Sequence, residues 1–228
     1  MVNRPTETQL LENLHTLPFF QDLDLGTTAV LAAQTRWQTY QTGEVIFWEG
    51  ESAAGLYLMH AGWLKVVKTT PSGREQVLRF FGPGEMFNEI GALANQPNPA
   101  TAVALEPVGL WLLPRQIMVQ LMAERPLFAQ HLIQQLAGRV IHLVGLVADL
   151  SLRPVVGRLA SLLLTGATDD ILHRPRWYTQ AELASRLGTV PDVIQRALRQ
   201  LEDTGVIAVE RHHIRVLDRE KLAEIAAQ

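Results

Sequence analysis

The chain has 228 residues, 47% of them hydrophobic, enough for one large domain or two of ordinary size around real cores and too apolar for a disordered chain. It contains no cysteine, which excludes disulfides, thiolate nucleophiles and zinc or iron–sulfur sites held by Cys, so that a metal or haem would have to use His. The net charge of −3 argues against a generally basic nucleic-acid coat; nine Lys and Arg stand against thirteen Asp and Glu before residue 151, and eleven against ten from there on, so a motif must carry any claim about DNA.

The opening MVNRPTETQL lacks the charged-then-apolar pattern of a signal peptide. No uninterrupted apolar run reaches the roughly 18 residues of a bilayer span, so a cytoplasmic protein without a membrane partner is expected. A short helix is expected around Thr8 to Leu14. Residues 36 to 114 then form short apolar runs punctuated by glycine, among them VIFWEG, GLYLMHAGWLKVVK, REQVLRFFGPGE and TAVALEPVGLWLLP. These read as strands and turns, with TPSGRE as a hairpin loop, and their spacing predicts a compact β-barrel or sandwich.

From Leu127 to Leu150 the pattern becomes helical. Ile133, Val140 and Val147 recur at sevens, with Leu136, Leu143 and Leu150 three residues after each. β-Branched residues at one core position and Leu at the other favour a parallel two-stranded coiled coil, and about 24 residues make a rod of roughly 36 Å. Val144, Leu132 and Leu146 widen the stripe, so part of it should rest on the preceding β-domain. Pro154 disfavours helix at Arg153, which ends or bends the rod at 151–153 and places a hinge at 151–154. Beyond it, VVGRLASLLLTG reads as a second amphipathic helix ending in Gly166.

Residues 178 to 217 carry the most specific signal. YTQAELASRLG opens with Thr179 and Glu182 in the spacing of a capping box, buries Leu183 and Leu187 on one face and stops at Gly188. A second helix starts at once: Thr189 and Asp192 can form a reciprocal cap, Pro191 sits in the first turn, and Val193, Ile194, Ala197, Leu198 and Leu201 supply the apolar face. Two short helices joined by a glycine turn are a helix-turn-helix whose second helix reads bases. The hairpin of VIAVE and HIRVL around Arg211 and His212 then makes the motif a winged helix. Asp192, Gln195, Arg196 and Arg199 share the exposed face of the reader. Arg can take guanine O6 and N7 together, Asp can accept from cytosine N4, and Gln can pair with adenine, each worth roughly 1–3 kcal/mol of discrimination. Thr179, Thr189, Pro191 and Arg211 complete the expected DNA-binding set. His212 and His213 point to opposite faces of a strand and read as a surface turn, and no metal site is expected.

A glycine-rich β-domain, a dimerising helix, a hinge and a C-terminal winged helix, in that order, resemble the family of the cyclic-AMP receptor protein and the fumarate-nitrate-reduction regulator (CRP/FNR) over nearly the whole chain. The sharpest likenesses are Gly84-Glu85-Met86-Phe87-Asn88-Glu89-Ile90-Gly91, similar to the family's phosphate-binding cassette, and the reader from Gly188 to Arg196. The resemblance implies an α+β fold: a cyclic-nucleotide-binding-type β-roll over 1–126, a dimerisation helix over 127–150, the hinge at 151–154 and a winged helix-turn-helix over 155–228. It places Asp192 and Arg196 on the base-reading acid and Arg, with Gln195 at a small-residue position and Pro191 where cyclic-AMP receptors have an Arg. It also implies double-stranded DNA, a second copy of the chain and RNA polymerase as partners.

The cassette raises its own question, because Glu89 is followed by thirteen residues, 90 to 102, with no Lys or Arg. In members that bind cyclic AMP an Arg neutralises the cyclic phosphate, a Ser hydrogen-bonds it and the Glu holds the ribose. Here those positions are Pro99, Ala100 and Glu89. On the long helix Arg139 matches an Arg that lines the family's pocket, but Leu143 and Val144 replace the Thr and Ser that bond the adenine. An effector pocket of Asn88, Glu89, Ile90, Gly91, Pro99, Ala100, Arg139 and Leu143 is therefore expected to disfavour cyclic AMP. Glu89 can equally be structural, bonded to its own turn or to Arg139. No cofactor is expected; haem on His60, His131 or His142 stays open, as do a small organic effector and none at all. The absence of G-x-S-x-G, H-E-x-x-H and Walker patterns points away from an enzyme. The reading is a homodimeric, sequence-specific transcription regulator, with a haem or small-molecule sensor and a ligand-binding dimer that does not touch DNA as its rivals.

Overall fold

The computed structural model describes residues 2–17, 20 and 23–227, which form two compact units. One comprises the chain through Lys68 together with Leu78–Ile141; the other comprises Thr69–Val77 and the chain from His142 onward.

The first unit opens with α1 (Glu7–Thr16), whose Thr6 and Gln9 satisfy each other's backbone N–H groups in a capping box, and α2 (Leu25–Gln34), capped by Asp24. Then come β1 (Arg36–Tyr40), β2 (Val45–Phe47), β3 (Gly55–Ala61), β4 (Leu64–Thr69), β5 (Glu75–Phe81), β6 (Met86–Phe87), α3 (Glu89–Ala94), β7 (Thr101–Ala104), β8 (Val108–Pro114), α4 (Arg115–Glu124) and α5 (Pro126–Leu152). Two four-stranded sheets result, ordered β1-β8-β3-β6 and β2-β7-β4-β5. β3 and β8 pair antiparallel from Gly55 opposite Pro114 to Met59 opposite Leu110, and both are buried on two faces. Tyr57, Met59, Leu110 and Leu112 point into the core that also holds Phe47, Phe81 and Phe87, while Leu56, Leu58, Trp111 and Leu113 point the other way, against α1, α2, α4 and α5. That double burial is why these strands read as unbroken apolar runs rather than alternating ones. The β3–β4 turn requires glycine: Gly62 has φ +84°, and a Cβ there would lie 2.4 Å from the carbonyl oxygen of Pro107.

α5 enters this unit through Phe128 and Leu132, each 1% exposed, with Phe128 stacked on Phe20 at 5.7 Å. Its 27 residues include a stretch of mean hydropathy 1.3, long and apolar enough by composition to cross a bilayer. Uninterrupted runs do not reveal this, because Gln, His and Arg139 are scattered through it.

In the second unit α5 stops at Leu152, and extended Pro154 caps α6 (Val155–Gly166). Then follow β9 (Ile171–His173), α7 (Gln180–Arg186), α8 (Pro191–Asp203), β10 (Ile207–Val209), β11 (His213–Val216) and α9 (Arg219–Ala226). The strands form one sheet ordered β10-β11-β9, a strand more than the expected hairpin. Leu159, Leu163, Leu183, Ile194, Leu201, Val206, Ile214 and Leu222 have no exposed surface. Burying each contributes about 1.5–3 kcal/mol before chain entropy is subtracted.

Candidate functional site

The helix-turn-helix is α7, a glycine turn and α8. The Thr179 hydroxyl accepts the backbone N–H of Glu182 at 3.3 Å, and α7 ends at Leu187. Gly188 follows with φ +64°, and the N–H of Thr189 then donates to the Ala184 carbonyl at 2.9 Å. The expected Thr189–Asp192 cap does not form. Pro191 is the first residue of α8, which holds Val190 extended at φ −121°, ψ 155° and makes Val190 the N-cap, with no side-chain capping bond. Thr189 is thereby left one residue too early, half-buried in the turn, and Asp192 acts only as an acid in the first turn, where the helix dipole favours it.

α8 has two faces. Ile194, Ala197, Leu198 and Leu201 are buried, whereas Pro191, Asp192, Gln195, Arg196 and Arg199 are exposed together. Beside it the wing is tied back by Glu202, whose carboxylate accepts the N–H of Val209 at 2.8 Å. Glu210 is occupied by His213 at 3.1 Å and Arg215 at 3.3 Å, and exposed Arg211 and His212 form the tip. His213, half-buried, lies opposite His173 of β9 with ring centroids 6.5 Å apart, so the two adjacent histidines do diverge. The N–H of Arg174 donates to the His212 carbonyl at 2.7 Å, and Arg176, two residues further on, is exposed. The sequence reading missed Arg176 and β9; the available signal was RPRWY directly before the Thr179 cap.

The first unit contains a cavity of about 80 Å³ lined by Phe47, Val66, Phe81, Phe87, Asn88, Glu89, Ile90, Pro99, Ala100 and Arg139. Asn88 adopts a left-handed conformation, φ 70°, to turn the chain into α3, and its side-chain amide donates to the Gly55 carbonyl at 3.2 Å. Glu89, 1% exposed, is ion-paired with Arg139, the structural role held open for it. Arg139 also donates to the Met86 carbonyl at 2.5 Å and lies 4.9 Å from the Phe81 ring centre. Burial, with the charge of Arg79, pushes its pKa down to about 10, so it remains a guanidinium at neutral pH.

The cation missing from 90–102 is therefore supplied from a distance. Arg139 comes from α5, and Lys68 of β4 donates to the Pro99 carbonyl at 3.1 Å while pairing with Glu49. Of the expected pocket residues, Gly91 lies buried behind the lining, against Ala53, and Leu143 does not line the cavity, being 38% exposed on α5. Among the histidines named for haem, His60 packs edge-on against Trp37 at 5.7 Å; among the described residues no group of three or more His, Asp or Glu is placed to hold a metal.

Comparison with known proteins gives both units a family. Residues 37–125 match the cyclic nucleotide-binding domain, and residues 157–225 match the Crp-like helix-turn-helix domain. The CRP-like cAMP-activated global transcriptional regulator of Mycobacterium tuberculosis is 29% identical over 213 residues, 91% of this chain and 95% of that protein. The cyclic AMP receptor protein of Thermus thermophilus is 29% identical over 92% of this chain and 96% of its own length. The structure of FixK2 from Bradyrhizobium japonicum superposes with a TM-score of 0.76 at 22% identity, covering 85% of this chain and 98% of that one, a likeness of fold. A cyclic-nucleotide-binding-type β-roll, a long helix and a Crp-like helix-turn-helix in a single chain make this protein a member of the CRP/FNR family of DNA-binding transcription regulators.

Proposed function

We propose that the protein is a homodimer that reads a near-palindromic DNA site through α8, with an effector other than cyclic AMP or with none. The observation that carries the reading is the division of α8 into a buried face of Ile194, Ala197, Leu198 and Leu201, with Val193 half-buried beside it, and an exposed face of Asp192, Gln195, Arg196 and Arg199. Arg196 takes a guanine in each half-site, and Asp192, a side chain shorter than Glu, and Gln195 set the neighbouring preferences. Arg199, Arg211, Thr179 and the loop of Thr189 and Pro191 hold the phosphates that fix register.

Dimerisation falls to the 127–150 segment of α5, where Ile133, Val140 and Val147 are 60–63% exposed and Leu136, Leu143 and Leu150 follow on the same stripe. A face this apolar on a helix otherwise docked to protein is best covered by its own copy. Two readers related by that axis reach successive major grooves, with half-sites roughly 34 Å apart. Residues 151–154 serve as the hinge. The reading carries the cytoplasm as its location and RNA polymerase as the machinery it regulates.

Against cyclic AMP stand Pro99 and Ala100 at the phosphate position, the engagement of Glu89 by Arg139, and a space of about 80 Å³, below the roughly 300 Å³ at which pockets for drug-sized ligands begin. The test is selection of bound sequences from a random DNA pool, with and without cyclic AMP, by the parent protein and by Arg196→Ala. One palindrome should be enriched equally in both conditions. Arg196→Ala should lose its guanine preference at one position per half-site, a loss of roughly 10- to 100-fold in discrimination. Enrichment only with cyclic AMP refutes the effector reading, and identical preferences in both proteins refute the role of Arg196.

A further inference from the structure

We propose that Arg139 is a built-in occupant of the effector cavity: a guanidinium tethered to α5 that holds this helix to the β6–α3 turn as a bound ligand would, so that the protein keeps its DNA-binding state without one. The proposal rests on the regulator reading above and concerns how its sensor-type unit is set.

Three observations converge. Arg139 occupies the polar side of the cavity: its side chain, 11% exposed, is ion-paired with Glu89, donates to the Met86 carbonyl and covers the Phe81 ring. A ligand cation seeking Glu89 would have to displace a guanidinium already paired with it in a buried site. The space left is walled by Phe47, Val66, Phe81, Phe87 and Ile90 and amounts to about 80 Å³.

The third observation concerns α5. Phe128, Leu132, Gln135 and Arg139 are spaced four, three and four apart, which places them on one face of the helix. Phe128 and Leu132 enter the core, and Gln135 and Arg139 both donate to the Met86 carbonyl, at 3.5 and 2.5 Å. Arg139 thus ties this docking face at the point where the exposed stripe of Val140 and Val147 continues. A free ligand biases a conformational equilibrium only by its differential affinity for the two states. A tethered group has no dissociated state to return to at low ligand concentration, so the bias it exerts is permanent.

The experiment uses the full-length protein, its Arg139→Ala, Arg139→Lys and Arg139→Ala/Glu89→Gln variants, and millimolar methylguanidinium as a free stand-in for the missing side chain. Two quantities are read: amide hydrogen exchange across residues 132–143, and affinity for the selected DNA site. The parent should exchange slowly and bind DNA with no additive. Arg139→Ala should exchange faster and bind between about 5- and 150-fold more weakly, the usual span of coupling between sites. Methylguanidinium should restore both in Arg139→Ala and neither in the double variant, which lacks the acid that receives it.

An Arg139→Ala protein that matches the parent in exchange and affinity overturns the proposal. So does a loss that neither methylguanidinium nor Arg139→Lys reverses, and so does a parent that binds DNA only after a ligand is added. If the parent selects no DNA sequence, the regulator reading fails, and recovery or non-recovery of exchange by methylguanidinium decides the occupancy on its own.

Discussion

Glu89→Gln removes one charge from the cavity while nearly keeping its shape. In the parent the two partners' side chains are 2% and 11% exposed, so the substitution leaves a buried guanidinium without its counter-ion. Breaking such a pair from one side costs about 3–5 kcal/mol. Arg139 keeps the Met86 carbonyl at 2.5 Å and the Phe81 ring at 4.9 Å, and Glu85 lies near enough to favour its charged form. These contacts place the cost at the low end, about 3 kcal/mol. For a unit of this size, 1 kcal/mol corresponds to about 4 °C, so its melting transition should fall by roughly 12 °C. Calorimetry of the full chain reads the shift. A companion Glu89→Leu/Arg139→Met protein, in which apolar side chains replace both charges, should regain most of the loss, because the penalty lies in the unpaired charge and not in the missing bond. A shift below about 2 °C in Glu89→Gln would show that Arg139 simply rehydrates, and the argument from burial would fail.

Two further outcomes are expected. Val140→Glu, at a residue 60% exposed on the apolar stripe of α5, should leave the fold of each unit intact and shift the mass measured by light scattering from two chains to one; an unchanged mass would remove α5 as the dimer face. Burial holds the pKa of His60 below its ordinary value. The unfolded chain therefore takes the proton first as pH falls, so the stability tied to neutral His60 is present above about pH 6.5 and is lost as pH falls toward the folded value. The urea midpoint should drop between about pH 7.5 and 5.5, and His60→Gln should flatten that drop; an identical drop in the variant would assign it to other groups.

Much of the architecture is written locally. The heptad of Ile133, Val140 and Val147, the Thr179 cap, the glycine turn at Gly188 and the faces of α8 each depend on residues within about fifteen positions of one another, and helical period and capping rules read them directly. Where the local rules conflict, one wins in the folded chain. Thr189 and Pro191 both fit a helix start, and the constraint proline places on Val190 sets the cap one residue later. Elements with weaker local signals, α2, α4 and the three-residue β9, become visible only when something covers them.

The sequence by itself determined the order of the parts, the apolar faces of α5 to α8 and the polar side chains that α8 exposes. Tertiary structure decided which partner each face and charge receives. Arg139 meets Glu89 across fifty residues of chain, so a cassette that looks empty of cations contains one. Leu132 and Ile133 are neighbours of nearly equal hydrophobicity, yet Leu132 is 1% exposed in the core and Ile133 is 63% exposed on the outer stripe. Helix geometry turns successive side chains about 100° apart, which is local, whereas the element that waits on each side is fixed by contacts far away in sequence.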